Sequence, residues 1–508
     1  MIDGLLMLGG GLAHFMTPLS LFNIAWATLL GIVIGALPGL TATMGVALLV
    51  TLTYKMAPDQ AILCLMCLYS GAIYGGSRTA ILLSIPGTPA SAATTLDGHP
   101  LALQGKAGTA MGLATTSSAL GTMVGIIALA LIAPLLAEAA LKFGSYEFFW
   151  LALFGVIISG QLTAIDDPLK GYIAGILGLL VAMVGMETLH AYQRFTFGIP
   201  ALGGGVDLIP AMVGAFGFAE ILGVMKRKAQ ARIVTSGDRV IPRFRDVFAY
   251  KWTTLRSGLI GTFVGIVPGV GEDVGAWASY AAAKRTSKEA HLFGKGSQEG
   301  LIAAETGNSA VVPGAMIPTL TLALPGSASA AVLIAAMYIH GIRPGPLLMT
   351  ENPEFLYQIV AILVFSTIAF TIFGLFLTKP LMTVLQVPRE RLMAVVYVLC
   401  VVGSFAITQR LFDVYVMLFF GIVGFLLREM KYPMAPLVLG IILGDLLDLN
   451  LRRGLALTNG DPTPFFTRPI SAVICLIITL TILMSIPAVN RRVRALFTRN
   501  RGGVQAQG

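Results

Sequence analysis

Residues 108–137 run for thirty positions without a charged side chain. An uncharged apolar run of this length is longer than a bilayer core of about 30 Å requires, since about 20 helical residues cross it. A soluble domain has no interior able to hide several long apolar runs, and others, most of them with one or two charged residues, recur here near 20–37, 146–164, 169–187, 208–225, 355–379, 391–408, 411–427, 433–448 and 469–487. Composition agrees: 56% of the chain is hydrophobic and 12% charged, against roughly 25% charged in soluble proteins, and the mean hydropathy is +0.83. Long runs favour helices over the short alternating strands of a barrel. The expected fold class is an all-α polytopic membrane protein with about 10–12 transmembrane helices, some replaced by re-entrant hairpins.

Charge orients the chain. Residues 226–256 carry nine Lys/Arg and two Asp, and the tail 491–508 carries five Arg and no acid. Beside membrane spans the positive-inside rule explains such clusters more simply than nucleic acid does, so both segments are expected in the cytoplasm. No Lys or Arg precedes Lys55, so the start has no basic region of a secretory signal. Cys64 and Cys67 have CxxC spacing but, with Cys400 and Cys475, sit in apolar runs and read as packing residues. The expected divisions are a first membrane half, 1–225, a basic linker, 226–256, a second half, 257–490, and a basic tail, 491–508.

The halves repeat one another. Gly31-x3-Gly35-x2-Pro38-Gly39 matches Gly261-x3-Gly265-x2-Pro268-Gly269, and the run from Ser84 through Pro86, Gly87, Thr88, Pro89 and Ser91 resembles Ala323-Leu-Pro325-Gly326-Ser327-Ala-Ser329. The paired glycines alone are explained by close helix packing. Pro-Gly is not, because Pro removes a backbone donor and Gly permits positive φ. Such breaks free polar backbone groups at membrane depth and persist only inside protein or beside a wet cavity. Interrupted helices at matching places in two halves point to the midplane site of a secondary transporter. The N–H groups at helix starts suit a carboxylate, and freed carbonyls suit Na⁺.

The side chains around the breaks fit that chemistry. Gly75-Gly76 and Pro86-Gly87 bracket a stretch too short to span, which suggests a re-entrant hairpin formed by 60–74 and 77–100. Ser77, Thr79, Ser84, Thr88, Ser91, Thr94 and Thr95 supply hydroxyls, each of which has the alternative of bonding back to its own helix. Arg78 is either a fixed counter-charge for a dicarboxylate or a side chain that snorkels to the interface. Asp97, in LDGHP, reads as part of a structural turn. In the second half Glu305 and Asn308 lie one helical turn apart, placed either to carry a coupling ion or to brace the bundle.

These motifs (LPGLTATMG, the block 74–107, RFTFG, FGKGSQEG, AETGNSA and LPGSASAA) resemble the large membrane subunit of tripartite tricarboxylate transporters over roughly residues 20–490. The resemblance implies a non-enzymatic, multi-pass permease of the bacterial inner membrane. It implies two partners besides lipid, a small four-helix membrane subunit and a periplasmic solute-binding protein, and no nucleic acid. Uptake of carboxylates would be driven by Na⁺ or H⁺ without other cofactors, consistent with the lack of a GxxxxGK[ST] loop. It also implies inverted halves in an elevator-like arrangement, although Lys55 and Lys284-Arg285 occupy equivalent places and inversion would make only one of them cytoplasmic. Matched residue by residue, the ligand and ion region comprises Pro38, Gly39, Pro86, Gly87, Thr88, Pro89 and Ser91, then Pro268, Gly269, Gly271, Glu305, Asn308, Pro325, Gly326 and Ser327. The chain departs from the family where Gly307 replaces the first of two amides that usually follow the glutamate.

Two other classes compete. An intramembrane aspartyl protease needs two carboxylates sharing a proton, and Gly269-Val-Gly271-Glu272-Asp273 only approximates its motif. An anion channel would show rings of like charge, whereas two inequivalent halves with broken helices suit alternating access.

Overall fold

The computed structural model describes residues 2–37, 40–164, 167–187, 191–226, 238–378 and 389–485. Pro38 and Gly39, residues 227–237 of the linker and the tail 491–508 lie outside the described residues. The class is all-α and polytopic. Among the described residues, one two-stranded ribbon, β1 (Gly185–Met186) against β2 (Gln193–Arg194), is the only sheet. Eight helical stretches there are long and apolar enough to cross a membrane, and five shorter apolar helices accompany them.

The chain packs as two compact units, residues 1–142 with 206–430 and residues 143–205 with 431–508. The first unit opens with α1 (Ile2–His14), α2 (Pro18–Ala36), α3 (Ala42–Thr53), α4 (Pro58–Leu83), α5 (Ala92–Leu101) and α6 (Ala107–Ala140). It resumes with α9 (Leu208–Met212), α10 (Ala219–Lys226), α11 (Phe244–Phe248), α12 (Lys251–Ile266), α13 (Gly271–Thr286), α14 (Gln298–Leu322) and α15 (Ala328–Ile339). It closes with α16 (Pro346–Glu351), α17 (Pro353–Phe376), α18 (Arg389–Thr408) and α19 (Leu411–Glu429). The second unit holds α7 (Ser145–Thr163), α8 (Pro168–Ala182), α20 (Met434–Leu457), α21 (Pro464–Thr467) and α22 (Pro469–Ser485). There the buried Glu147 accepts from the Gly144 N–H at 2.8 Å and the Ser471 hydroxyl at 2.9 Å, and pairs with Arg468 at 3.1 Å. Arg194 of the ribbon pairs with Asp448 of α20 at 3.0 Å.

In the first unit α2 lies on α4, and α12 lies on α14. The paired glycines make both contacts. A Cβ on Gly35 would fall 1.9 Å from the Ala72 carbonyl oxygen, and one on Gly261 would fall 2.2 Å from that of Gly307. The described part of the basic linker is tied to α6, where the Asp238 carboxylate accepts from the Gly108 and Thr109 N–H groups at 2.6 and 2.7 Å. It thereby supplies two of the donors at a helix start with a partner.

Two local readings are corrected. Gly75-Gly76 does not interrupt a helix: α4 continues through it to Leu83. Gly75 is instead a site of close approach, with its absent Cβ 2.4 Å from the Ile32 carbonyl oxygen of α2. LDGHP is not a turn either, because Asp97 through Pro100 lie inside α5.

Candidate functional site

The two helices of the first unit that are buried along nearly their whole length, α4 and α14, end in the same way. At the end of α4, Ser84 adopts a left-handed conformation (φ 55°), and at the end of α14 Ala323 adopts the same one (φ 55°). The next N–H in each case reaches back over the turn, Ile85 to the Thr79 oxygen at 3.4 Å and Leu324 to the Pro318 oxygen at 3.2 Å. Pro-Gly follows. Gly87 is required because a Cβ there would sit 2.1 Å from the Gly35 oxygen; Gly326 stands 2.4 Å from the Gly265 oxygen by the same measure. A new helical start then forms. Thr88 precedes the single turn Pro89–Ser91 that leads into α5, with the Ser91 hydroxyl donating to the Thr88 carbonyl at 2.8 Å. Ser327 caps α15 by accepting from the Ala330 N–H at 3.1 Å.

The Pro-Gly pairs of the second half meet in space although 57 residues separate them. Pro268 closes the turn after α12, the Gly269 N–H donates to the Pro325 oxygen at 3.1 Å, and the Gly271 N–H donates to the Gly326 oxygen at 3.0 Å. Both glycines hold positive φ, 74° and 61°. The first-half counterparts Pro38 and Gly39 are outside the described residues, but Gly35, just before them, touches Gly87.

Side chains complete two polar clusters. In the first, the fully buried Glu305 of α14 accepts hydrogen bonds from Ser77 of α4 at 2.6 Å, Ser118 of α6 at 3.0 Å, and Thr94 of α5. Three hydroxyls from three helices converge on one carboxylate. Asn308, one turn further along α14, is also fully buried, and neither its Oδ1 nor its Nδ2 has a hydrogen-bond partner; the buried Thr88 Oγ1 has none either. In the second cluster Tyr69 of α4 shares a 2.9 Å hydrogen bond with Ser327, and Thr43 of α3 shares one of 3.1 Å with Ser329. Glu272, in the first turn of α13, lies within hydrogen-bonding reach of Tyr69, Ser327 and Ser329.

Arg78 is buried but directed elsewhere. Its guanidinium donates to the Gly374 carbonyl at 3.0 Å and to the Thr378 hydroxyl at 3.0 Å, capping the end of α17, and it also bonds Tyr74. Asp97 draws the 294–297 loop onto α5: one oxygen accepts from the N–H groups of Gly294, Gly296 and Ser297 at 2.8, 2.9 and 2.8 Å, and the other from the Tyr280 hydroxyl at 2.9 Å. The FGKGSQEG stretch is thus shaped around a carboxylate 200 residues earlier in the chain.

Sequence reasoning singled out Glu305, Asn308, Thr88 and Ser327 but missed Ser118, Tyr69 and Glu272 as members of the clusters. Glu272 carried a usable signal, an acid immediately after a helix break, where the N-terminal end of a helix favours negative charge. Ser118 and Tyr69 carried none, lying mid-helix in apolar runs.

Breaks, hydroxyls and buried acids with this geometry can hold a small anion or cation. A protein of Agrobacterium vitis, described as an uncharacterized 52.8 kDa protein in the TAR-I ttuC' 3' region, is 35% identical over 464 residues, covering 90% of this chain and 92% of that one. A second from the same organism, described as an uncharacterized protein in the TAR-II ttuC' 3' region, is 33% identical over 226 residues, 43% of this chain and 93% of that one. No solved structure matches. The model of the tripartite tricarboxylate transporter TctA family matches residues 21–439, and the chain belongs to that family of membrane transporter components.

Proposed function

We propose that this chain is the permease of a binding-protein-dependent secondary uptake system for di- and tricarboxylates in a bacterial inner membrane. It would work with a small four-helix membrane subunit and a periplasmic solute-binding protein, and be driven by a Na⁺ or H⁺ gradient. The observation that carries the reading is the pair of alike helix breaks, each ending in a left-handed residue, a Pro-Gly and a hydroxyl-bearing helical start. Discontinuous helices of this kind offer N–H groups to an anion and carbonyls to a cation at the midplane. The matching breaks also support a repeated, inverted architecture in which the two hairpins move together past a fixed scaffold.

In this reading the substrate carboxylates lie against the turns at Pro86–Ser91 and Pro325–Ser327, with Pro268, Gly269 and Gly271 holding the second turn in place. Glu305 supplies negative charge that compensates a co-transported cation. Arg78 acts on the site through α4 and α17, since its donors are engaged with the end of α17.

Reconstitution with both partners in liposomes tests the proposal. Uptake of labelled citrate or a dicarboxylate that requires the binding protein and one ion gradient is the expected result. Absence of uptake for every carboxylate, under either gradient and with all components folded, overturns it.

A further inference from the structure

α12 presents an exposed apolar stripe with one cation set into it. Trp252, Arg256, Leu259 and Phe263 follow one another at intervals of four, three and four residues, which places all four within about 60° of the helix wheel. Trp252 is 73% exposed, Leu259 53% and Phe263 69%. The opposite face is packed, through Gly258 on Val124 of α6 and through Gly261 and Gly265 on the backbone of α14. From Trp252 to Phe263 the stripe measures about 16 Å, at 1.5 Å of rise per residue. That is close to half of a bilayer core of about 30 Å, the depth of one leaflet.

Arg256 is held in place from α13. Its Nη1 donates to the Thr286 hydroxyl, whose own proton goes to the Ala282 carbonyl at 3.0 Å, while Nε and Nη2 have no hydrogen-bond partner. Lys284 and Arg285, both exposed, immediately precede Thr286 in the last turn of α13. The Lys251 ammonium stands 5.9 Å from the centre of the Trp252 ring. Among the described residues none of these four cations is in an ion pair. The acids at this end of α12, Asp246, Glu289 and Glu299, leave the charge uncompensated. Glu299 accepts instead from the Thr253 and Ser287 hydroxyls, each at 2.6 Å, and Thr253 is on the buried side of α12.

We propose that Arg256, Lys284 and Arg285 form the headgroup site of an anionic phospholipid, whose acyl chains lie along Leu259 and Phe263. The inference needs only that the chain sits in a bilayer, so it stands or falls apart from the permease reading. Scattered cations and a tryptophan at a membrane boundary make an interface belt and no site. Three features go further here. Arg256 is oriented by Thr286 and keeps two donors for the oxygens of a phosphate diester, a planar pairing that lysine does not offer. In the lipid-bound form its side chain, which is only partly buried, turns Nε and Nη2 outward while Nη1 stays on Thr286. The cluster carries uncompensated positive charge, which attracts an anionic headgroup and repels the ammonium of a zwitterionic one. The apolar stripe continues from the cations for the depth of one leaflet, so one molecule with a phosphate and acyl chains fits both parts.

The test uses the full chain in mild detergent, with dioleoyl phosphatidylglycerol, dioleoyl phosphatidylcholine or inorganic phosphate added back. Thermal unfolding and native mass spectrometry read the binding. Phosphatidylglycerol is expected to stabilise the chain saturably and to remain bound in the mass spectrum, whereas phosphatidylcholine and phosphate at the same concentration do neither. Arg256→Gln is expected to weaken the phosphatidylglycerol midpoint about tenfold. Arg256→Lys, which keeps the charge and loses the fork, is expected to fall between Arg256→Gln and the wild type. Lys142→Gln, an exposed cation just past the end of α6, is expected to keep the wild-type midpoint, with size-exclusion profiles confirming that each variant is folded. Equal stabilisation by the two lipids, wild-type binding in Arg256→Gln, or an equal loss in Lys142→Gln overturns the site. Saturation by inorganic phosphate alone makes it a free-anion site and overturns the lipid. Displacement of phosphatidylglycerol by the small membrane subunit, added to the same sample, makes the stripe a protein interface and overturns it as well.

Discussion

Ser84 and Ala323 hold the left-handed conformation that non-glycine residues avoid, at a cost of about 1–2 kcal/mol each. Replacing Ala323 by Gly removes that strain while adding some freedom to the unfolded chain, so Ala323→Gly is expected to stabilise the protein by about 0.5–1 kcal/mol. A rise in the thermal unfolding midpoint in detergent checks this; a fall would mean that the methyl group contributes packing greater than the strain. Asp97 is a residue whose role was only half legible. Its sequence context reads as a turn because Gly and Pro follow it, yet α5 runs through both and delivers the carboxylate to the 294–297 loop. The local signal names the residue as structural, but its partners are set by packing between distant segments, which local sequence does not encode. Asp97→Asn weakens charge-assisted bonds, each worth about 1.5–3 kcal/mol, to three backbone N–H groups. Limited trypsin digestion is expected to cut faster at Lys288 and Lys295 in that variant.

Between helices, the close approaches of α2 to α4 and α12 to α14 govern whether the breaks form at all. Gly87 rests on the backbone of Gly35, and Gly326 on that of Gly265, so each Pro-Gly turn is seated on the helix pair that precedes it. Gly35→Ala places a methyl 1.9 Å from the Ala72 oxygen, a backbone atom that cannot swing aside. Overpacking of this kind costs about 1–3 kcal/mol or more, and the variant is expected to lose Tm and expression yield. Gly9→Ala, where nothing lies within 4 Å, is expected to behave as the wild type. The Gly-x3-Gly spacing made these contacts readable in advance. Gly75-Gly76 was misread because glycine serves both turns and close packing, and only the neighbouring helix decides between them.

For the molecule as a whole, the all-helical membrane class and the family follow from hydropathy and motifs, since a bilayer imposes helix lengths that any sequence must satisfy. The division into units was not legible. Repeats reveal which segments resemble each other, whereas packing decides which segments touch, and each compact unit draws residues from both sequence halves. Several polar side-chain contacts around the breaks show the same pattern. Ser77 and Thr94 bond Glu305, Tyr69 bonds Ser327, Thr43 bonds Ser329, and Asp97 bonds the 294–297 loop. None of these pairs lies within one half. During synthesis, then, the first half enters the lipid with its hydroxyls and its one loop-binding carboxylate unmatched, and waits until the ribosome has delivered residues beyond 329. The nascent protein passes through a stage at which its first half exists without the partners of these side chains. A chaperone or quality-control protease surveying the membrane would meet that half-built species on every copy made.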